Sequence, residues 1–280
     1  MNSPGANSDP PFLTLVVTTY ERPDALNAVL ATIQRQTDPP DEVIIADDGS
    51  GAATQAVISR FRTHNNNAYD VHHVRQEHDG FRAARLRNLA IAASTSRYIV
   101  FIDGDMLLHP KFMADHRRLA RPGYYTQGMR LKLDAAATQE RLDANGLENI
   151  ETFATTHRLG ALRPTRLYAR HNTALSHLTR EAGNYVVSIK SCNQGFWRHD
   201  LVAVNGFNEE IIGWGPEDKE LCLRLQNHGI QRQTLLFGGI AWHLHHAPQS
   251  RKRRAINENV LANTRANRMV RCEKGLADHT

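Results

Sequence analysis

Apolar residues fall in short blocks along the first 120 positions, and the spacing inside the blocks alternates between two kinds. Phe12 to Thr18 is a continuous apolar and β-branched run, the pattern of a strand covered on both faces. After Arg22-Pro23-Asp24, the residues Ala25, Val29, Leu30 and Ile33 recur at helical spacing. The alternation then repeats. Strands are predicted over Glu42 to Ala46, Tyr69 to Val74 and Tyr98 to Ile102, with helices over Ala52 to Phe61 and Ala83 to Ala93. Short buried strands separated by helices predict an α/β fold, a parallel sheet with helices on both faces. Ligands of such sheets collect beyond the carboxyl ends of the strands. Polar clusters stand at those ends: Thr18-Thr19-Tyr20, Asp47-Asp48 and Asp103-Gly104-Asp105.

Beyond Met129 the periodicity degrades, and the stretch to Arg180 shows no organised pattern, leaving room there for substrate-specific loops. Order returns at Tyr185 to Ile189 and at Asn193 to Trp197, a helix follows Pro216, and a further strand is predicted from Thr234 to Phe237.

Composition adds bounds. The 280 residues are 41% hydrophobic and 22% charged, as in an ordinary soluble protein. No apolar run approaches the ~20 residues of a membrane-spanning helix, and the first ten residues carry no secretory signal. The three cysteines are widely spaced and form no CxxC pair, so a zinc ribbon or disulfide framework is not expected and a cytoplasmic setting is. Residues 251–280 hold eight Lys/Arg and three Asp/Glu, a net charge of +5 that equals the whole chain's. This basic tail opens with Arg251-Lys252-Arg253-Arg254 and reads as a contact for anionic lipid or nucleic acid, or as a solvated charged helix.

Each polar motif has two local readings. Asp103 and Asp105 flank a glycine directly after a buried strand. They are hard oxygen ligands for Mg²⁺ or Mn²⁺ bridging a diphosphate, or else a surface turn. Asp47-Asp48-Gly49-Ser50 is a ligand-binding strand end or a turn capping the next helix. Pro216-Glu217-Asp218 opens a helix with acids in its first turn, which suits the helix dipole in any case.

The motifs are more telling in order. Val17 to Arg22, Ala46 to Ser50, Arg87-Asn88 and Asp103-Gly104-Asp105 resemble inverting family 2 glycosyltransferases of the GT-A fold. Trp214-Gly215-Pro216-Glu217-Asp218 and Ala241-Trp242-His243 resemble its galactosyltransferase-like branch, which includes bacterial chondroitin polymerase domains and β-1,4-galactosyltransferases. The resemblance implies a GT-A domain over residues 11–250, nucleotide-binding to 128 and acceptor-binding from 129, between a loose tail (1–10) and the basic tail (251–280). It implies a donor site of Thr18, Tyr20, Arg22, Asp47, Asp48, Arg87, Asp103, Gly104 and Asn193. One of Asp47 and Asp48 would accept the N3–H of uracil. Arg82 and Arg85 are either further cationic contacts or solvated. Asp103, Asp105 and His243 would hold the metal, and the imidazole favours Mn²⁺ over Mg²⁺. His245 and His246 leave a zinc site open, without a Cys or Glu partner at zinc-motif spacing. Asp218 would be the general base and Glu217 would orient an acceptor resting on Trp214 and Gly215. Pro216 departs from the family's usual glycine and stiffens this loop.

The expected function is transfer of a hexose or N-acetylhexosamine from a UDP-sugar to a sugar hydroxyl. The acceptor would be a bacterial surface polysaccharide or lipopolysaccharide, free or lipid-linked, with the tail resting on the anionic inner face of the cytoplasmic membrane. Two other classes are weaker. A sugar-nucleotide-forming nucleotidyltransferase needs a Gly-rich basic loop where this chain has Thr18-Thr19-Tyr20-Glu21. A nucleic-acid-binding module explains the tail but not the acidic strand ends, so no nucleic-acid partner is expected.

Overall fold

The computed structural model describes residues 11–64, 68–143, 171–172, 174–182, 189–247 and 252–280. Its first half alternates as the sequence does: β1 (Leu13–Thr19), α1 (Pro23–Ile33), β2 (Glu42–Asp47), α2 (Ala52–His64), β3 (Asp70–Arg75), α3 (Ala83–Ala93) and β4 (Tyr98–Asp103). There follow β5 (Met106–Leu108), α4 (Phe112–Leu119), β6 (Tyr124–Gln127), β7 (Met129–Lys132), α5 (Ala135–Asp143), β8 (Thr179–Ala182), β9 (Asn193–Trp197) and α6 (Arg198–Ala203). The chain ends with α7 (Glu217–Asn227), β10 (Gln231–Leu235), β11 (Ile240–His243), α8 (Arg254–Ala266) and a 3-10 turn at Leu276–His279.

Eight strands form one sheet in the order β3-β2-β1-β4-β9-β6-β10-β8. β1 to β4 run parallel, as do β6 and β10, while β9 lies antiparallel to both its neighbours and β8 to β10. The central strands are apolar throughout because both faces are covered. Leu15, Val17, Val43, Ile45, Val100 and Ile102 pack with α1, α2 and α4. Val16, Ile44, Ala46, Ile99 and Phe101 pack with α3, α6 and α7. A small second sheet has the order β5-β11-β7.

Register fixes the functional edge. Thr19 pairs with Asp47, Thr18 with Asp103 and Asp47 with Arg75, so the three polar strand ends share one line at the carboxyl edge.

Three sequence expectations need adjustment. The strand expected at Thr234 to Phe237 lies earlier, over Gln231–Leu235, since Phe237 turns the chain with φ 57° ahead of Gly238-Gly239. Part of the stretch from Met129 to Arg180 is ordered as β7 and α5, while residues 144–170 and most of the expected strand at Tyr185 to Ile189 lie outside the described residues. The basic C-terminal segment is built into the fold. Asn257, Leu261 and Thr264 of α8 are buried, Thr264 donates to Glu220 Oε1 of α7 (2.9 Å), and Cys272 and Leu276 are buried as well.

Candidate active site

Gly104 brings the acidic turn against β1. Its N–H donates to the Thr18 carbonyl at 2.7 Å, and a methyl group there would lie 2.9 Å from that same oxygen. On one side of the glycine, the Asp103 carboxylate accepts from the Thr18 hydroxyl (3.1 Å) and from Arg87 Nη2 (3.3 Å). On the other, Asp105 is buried and accepts from Arg22 Nη1 at 3.1 Å.

Asp105 faces two imidazoles from the far end of β11. His243 Nε2 stands 3.7 Å from Oδ1 and His246 Nε2 stands 3.5 Å from Oδ2. The three ligand atoms lie within 4.8 Å of one another. The chemistry of this set fits a divalent ion. Asp105 Oδ1 is buried with no hydrogen-bond partner. Burial and the nearby Asp103 charge push the Asp105 carboxyl up to about 6, the behaviour of a carboxylate short of positive charge. Burial, with Arg130 beside it, holds His243 down at about 4, so its ring is neutral and able to ligate. Of the ligands expected from sequence, Asp105 and His243 come together. Asp103 is drawn off by Thr18 and Arg87, and His246 stands in the third position.

Arg87 links this edge to the helix that opens at Glu217. Its guanidinium is buried, contacts Asp103 at 3.3 Å and Glu217 Oε1 at 2.9 Å, and lies over the Phe207 ring at 5.3 Å. Arg87 is thus a buried tie between the carboxyl edge of the sheet and α7. Burial and repulsion from Asp218 raise Glu217 to about 7, against the pull of Arg87. The Glu217 carboxylate is turned onto Arg87 through Oε1. Asp218 is half-buried and accepts from the N–H groups of Ser191 (3.0 Å) and Lys219 (2.7 Å). Burial raises its pKa against the opposing pull of Arg87 and these donors.

The remaining predicted residues divide. Tyr20 is 41% exposed and stacks on His78 with ring centroids 4.1 Å apart. Asp48 accepts from His78 Nδ1 at 3.2 Å beneath that stack. Asp47 is wholly buried. Burial raises its pKa, but hydrogen bonds from His73 and Ser50 outweigh this and hold the carboxylate low. Arg82 donates to the Glu77 carbonyl and Arg85 to Gln76 Oε1. Asn193, expected to touch the donor, is committed to the scaffold. Its amide bridges His116, the Met129 carbonyl and the Gly239 carbonyl, and it is 1% exposed. Trp214 is half-buried under Arg254, and Asn257 donates to its carbonyl at 3.1 Å. Gly215 packs where a methyl group would meet Asn257 at 2.6 Å.

Comparison with known proteins identifies the family. The model of "Glycosyl transferase family 2" matches residues 14–155, and that of the "N-terminal domain of galactosyltransferase" matches residues 181–247. Validoxylamine A glucosyltransferase of Streptomyces hygroscopicus subsp. limoneus is 28% identical over 93% of this chain and 57% of its own length. Hyaluronan synthase of Pasteurella multocida is 28% identical over 82% of this chain and 24% of its own. Chondroitin synthase of Escherichia coli is 25% identical over 82% and 34%. The chain therefore spans little more than half of the first of these relatives and about a third or less of the other two.

Among solved structures, S. aureus TarS 1-349 in complex with UDP-GlcNAc superposes with a TM-score of 0.63 at 13% identity, over 95% of this chain and 69% of that one. Mannosyltransferase PcManGT from Pyrobaculum calidifontis, in complex with GDP-Man and Mn²⁺, gives 0.57 at 18% identity, over 85% and 58%. These two likenesses speak to the fold. The family model covers half of the chain, and the protein belongs to glycosyl transferase family 2, with the mostly parallel, helix-flanked sheet of the GT-A type.

Proposed function

We propose that this protein is a metal-dependent inverting glycosyltransferase that moves a hexose or N-acetylhexosamine from a UDP-sugar to a saccharide hydroxyl. The observation that carries the reading is the Asp105, His243 and His246 cluster at the same sheet edge as Thr18, Asp103 and the Tyr20–His78 stack. Asp105, His243 and His246 would hold Mn²⁺, with Mg²⁺ less suited to two imidazoles. When bound, the ion supplies Lewis-acid charge neutralisation at a donor diphosphate. Tyr20 offers the nucleobase a stacking face, and Asp48, the acid beneath it, is the better placed of the pair to accept from uracil. Thr18, Arg22 and Gly104 shape the donor edge, and Arg87 holds Asp103 in place.

On the acceptor side, Asp218 takes the proton of the attacking hydroxyl. That oxygen bonds the anomeric carbon from the face opposite the departing diphosphate, whose C–O bond breaks with its electrons going to the phosphate oxygen. Trp214 and Gly215 form the acceptor platform. Residues 11–128 serve mainly the donor and 129–250 the acceptor, although β7 and β11 also bring the metal side together.

Relatives described as hyaluronan and chondroitin synthases favour a bacterial surface polysaccharide or lipopolysaccharide acceptor. No helix among the described residues is long and apolar enough to cross a membrane. Exposed Lys252, Arg253 and Arg254, beside Ile256 at 54% exposure, favour peripheral contact with an anionic leaflet at the cytoplasmic face.

The test is a panel of UDP-sugars assayed for Mn²⁺-dependent UDP release by wild type and Asp105→Ala. Release of UDP by the wild type with loss in the variant supports the proposal. Pyrophosphate release, or full metal-dependent transfer by Asp105→Ala, would sink it.

A further inference from the structure

We infer that Arg130 and Lys190 form an anion cradle for the donor diphosphate, between the metal cluster and Asp218. The inference rests on the donor reading above and assigns charge-bearing contacts that no sequence motif marks. Arg130 lies on β7 opposite Ala241 of β11, which puts its side chain on the sheet face that carries His243 two residues on. Its hydrogen-bond partner among the described residues is a thiol: Nη1 donates to Cys192 Sγ at 3.6 Å.

Lys190 stands two residues before that cysteine. Its backbone is locked on both sides by Gln127, with Lys190 N–H to Gln127 Oε1 at 3.2 Å and Gln127 Nε2 to the Lys190 carbonyl at 3.1 Å. Between the two, the Ser191 N–H binds Asp218 Oδ2 at 3.0 Å. Residues 190–192 therefore run as a short bridge from the proposed base to the sheet that carries the metal cluster.

Neither cation forms an ion pair with a carboxylate among the described residues. A half-buried guanidinium whose hydrogen bond goes to a thiol, held in the field of a second cation, keeps N–H donors and positive charge for an incoming anion. The mutual strain is visible in Lys190, whose pKa burial and Arg130 both lower. The metal cluster calls for such help. One carboxylate already offsets half the charge of a divalent ion held there, leaving less positive charge than a departing nucleoside diphosphate needs to be balanced. A planar guanidinium with a point-charge ammonium suits two adjacent phosphoryl groups. Both cations keep their protons; their part is to hold the diphosphate as the anomeric C–O bond breaks and its charge grows.

The experiment measures binding of UDP, uridine and inorganic pyrophosphate by calorimetry. It uses the full chain as wild type, Arg130→Met, Arg130→Lys and Lys190→Gln, with UDP and uridine in both Mn²⁺ and EDTA and pyrophosphate in EDTA. Arg130→Met should weaken UDP and pyrophosphate about tenfold or more, the scale of one charged hydrogen-bonding group. Uridine should be unaffected, the effect should persist in EDTA, and Arg130→Lys should recover part of it. Lys190→Gln, on an exposed side chain that does not threaten folding, should weaken both phosphate ligands in the same direction. UDP and pyrophosphate affinities within twofold of wild type in both charge-removing variants, or a parallel loss of uridine binding, overturn the cradle while the donor reading stands. A wild type that binds no UDP in Mn²⁺ overturns both.

Discussion

Replacing Arg87 by methionine keeps the length of a buried side chain but removes the cation paired with Glu217, and the cost should depend on pH. An ordinary glutamate titrates near ~4.3. Burial and Asp218 lift Glu217 to about 7 even with Arg87 pulling it down. A carboxyl raised in the folded state contributes stability that is full below its unfolded pKa. That stability is lost, at ~1.4 kcal/mol per pH unit, as pH climbs towards the folded pKa. In the wild type the loss ends near pH 7, where Glu217 finally ionises against Arg87. In Arg87→Met the carboxyl has no partner, its pKa rises further, and the loss continues.

Near pH 6, where Glu217 is largely protonated in both proteins, the variant should trail by the Phe207 contact and the Asp103 pair, about 1–2 kcal/mol. Between pH 7 and 9 the gap should widen by up to roughly 3 kcal/mol, two further units of unpaired titration. Urea unfolding at pH 6, 7, 8 and 9 reads this directly, and adding Glu217→Gln to the variant should flatten the slope. A gap that stays constant with pH would refute the claim that Arg87 is there to carry the Glu217 charge.

Four other outcomes follow from the same geometry. Gly104→Ala sets a methyl group 2.9 Å from the Thr18 carbonyl, which must shift. A loss of about 1–3 kcal/mol in urea, with weakened UDP binding, is expected. Asp218→Asn should lower transfer by about 10²-fold or more while UDP affinity, measured by calorimetry, stays within about threefold. Deleting residues 251–280 should destabilise the protein grossly, visible as an early thermal transition, because it strips Leu261, Cys272 and Leu276 from the core and leaves Glu220 without Thr264. Membrane contact is therefore better tested by reversing Lys252, Arg253 and Arg254 to glutamate. Binding to anionic vesicles should then fall, and unchanged binding would count against that contact.

How much of this was legible in the chain follows from where each residue gets its role. β1, β2 and β4 announce themselves because strands buried on both faces need no alternation, and an Asp-Gly-Asp after such a strand marks the carboxyl edge. The tail was partly legible too: Asn257, Leu261 and Thr264 recur at helical spacing, a buried stripe that the surrounding arginines obscured. Asn193 shows a harder limit. An amide in a strand looks the same in sequence whether it meets a ligand or ties three backbone and side-chain groups together. β7 is four residues long with two cations among them, so Arg130 is defined only by a pairing with β11, more than a hundred residues later.

The histidines make the point most sharply. Strand alternation from His243 selects His245 as the next side chain on the same face. β11, however, ends at His243, and the chain beyond it follows its own contacts: the Leu244 N–H binds the Asp105 carbonyl and the His245 N–H binds Thr138. The imidazole that reaches Asp105 is therefore His246, selected by where pairing stops rather than by any periodicity in the sequence.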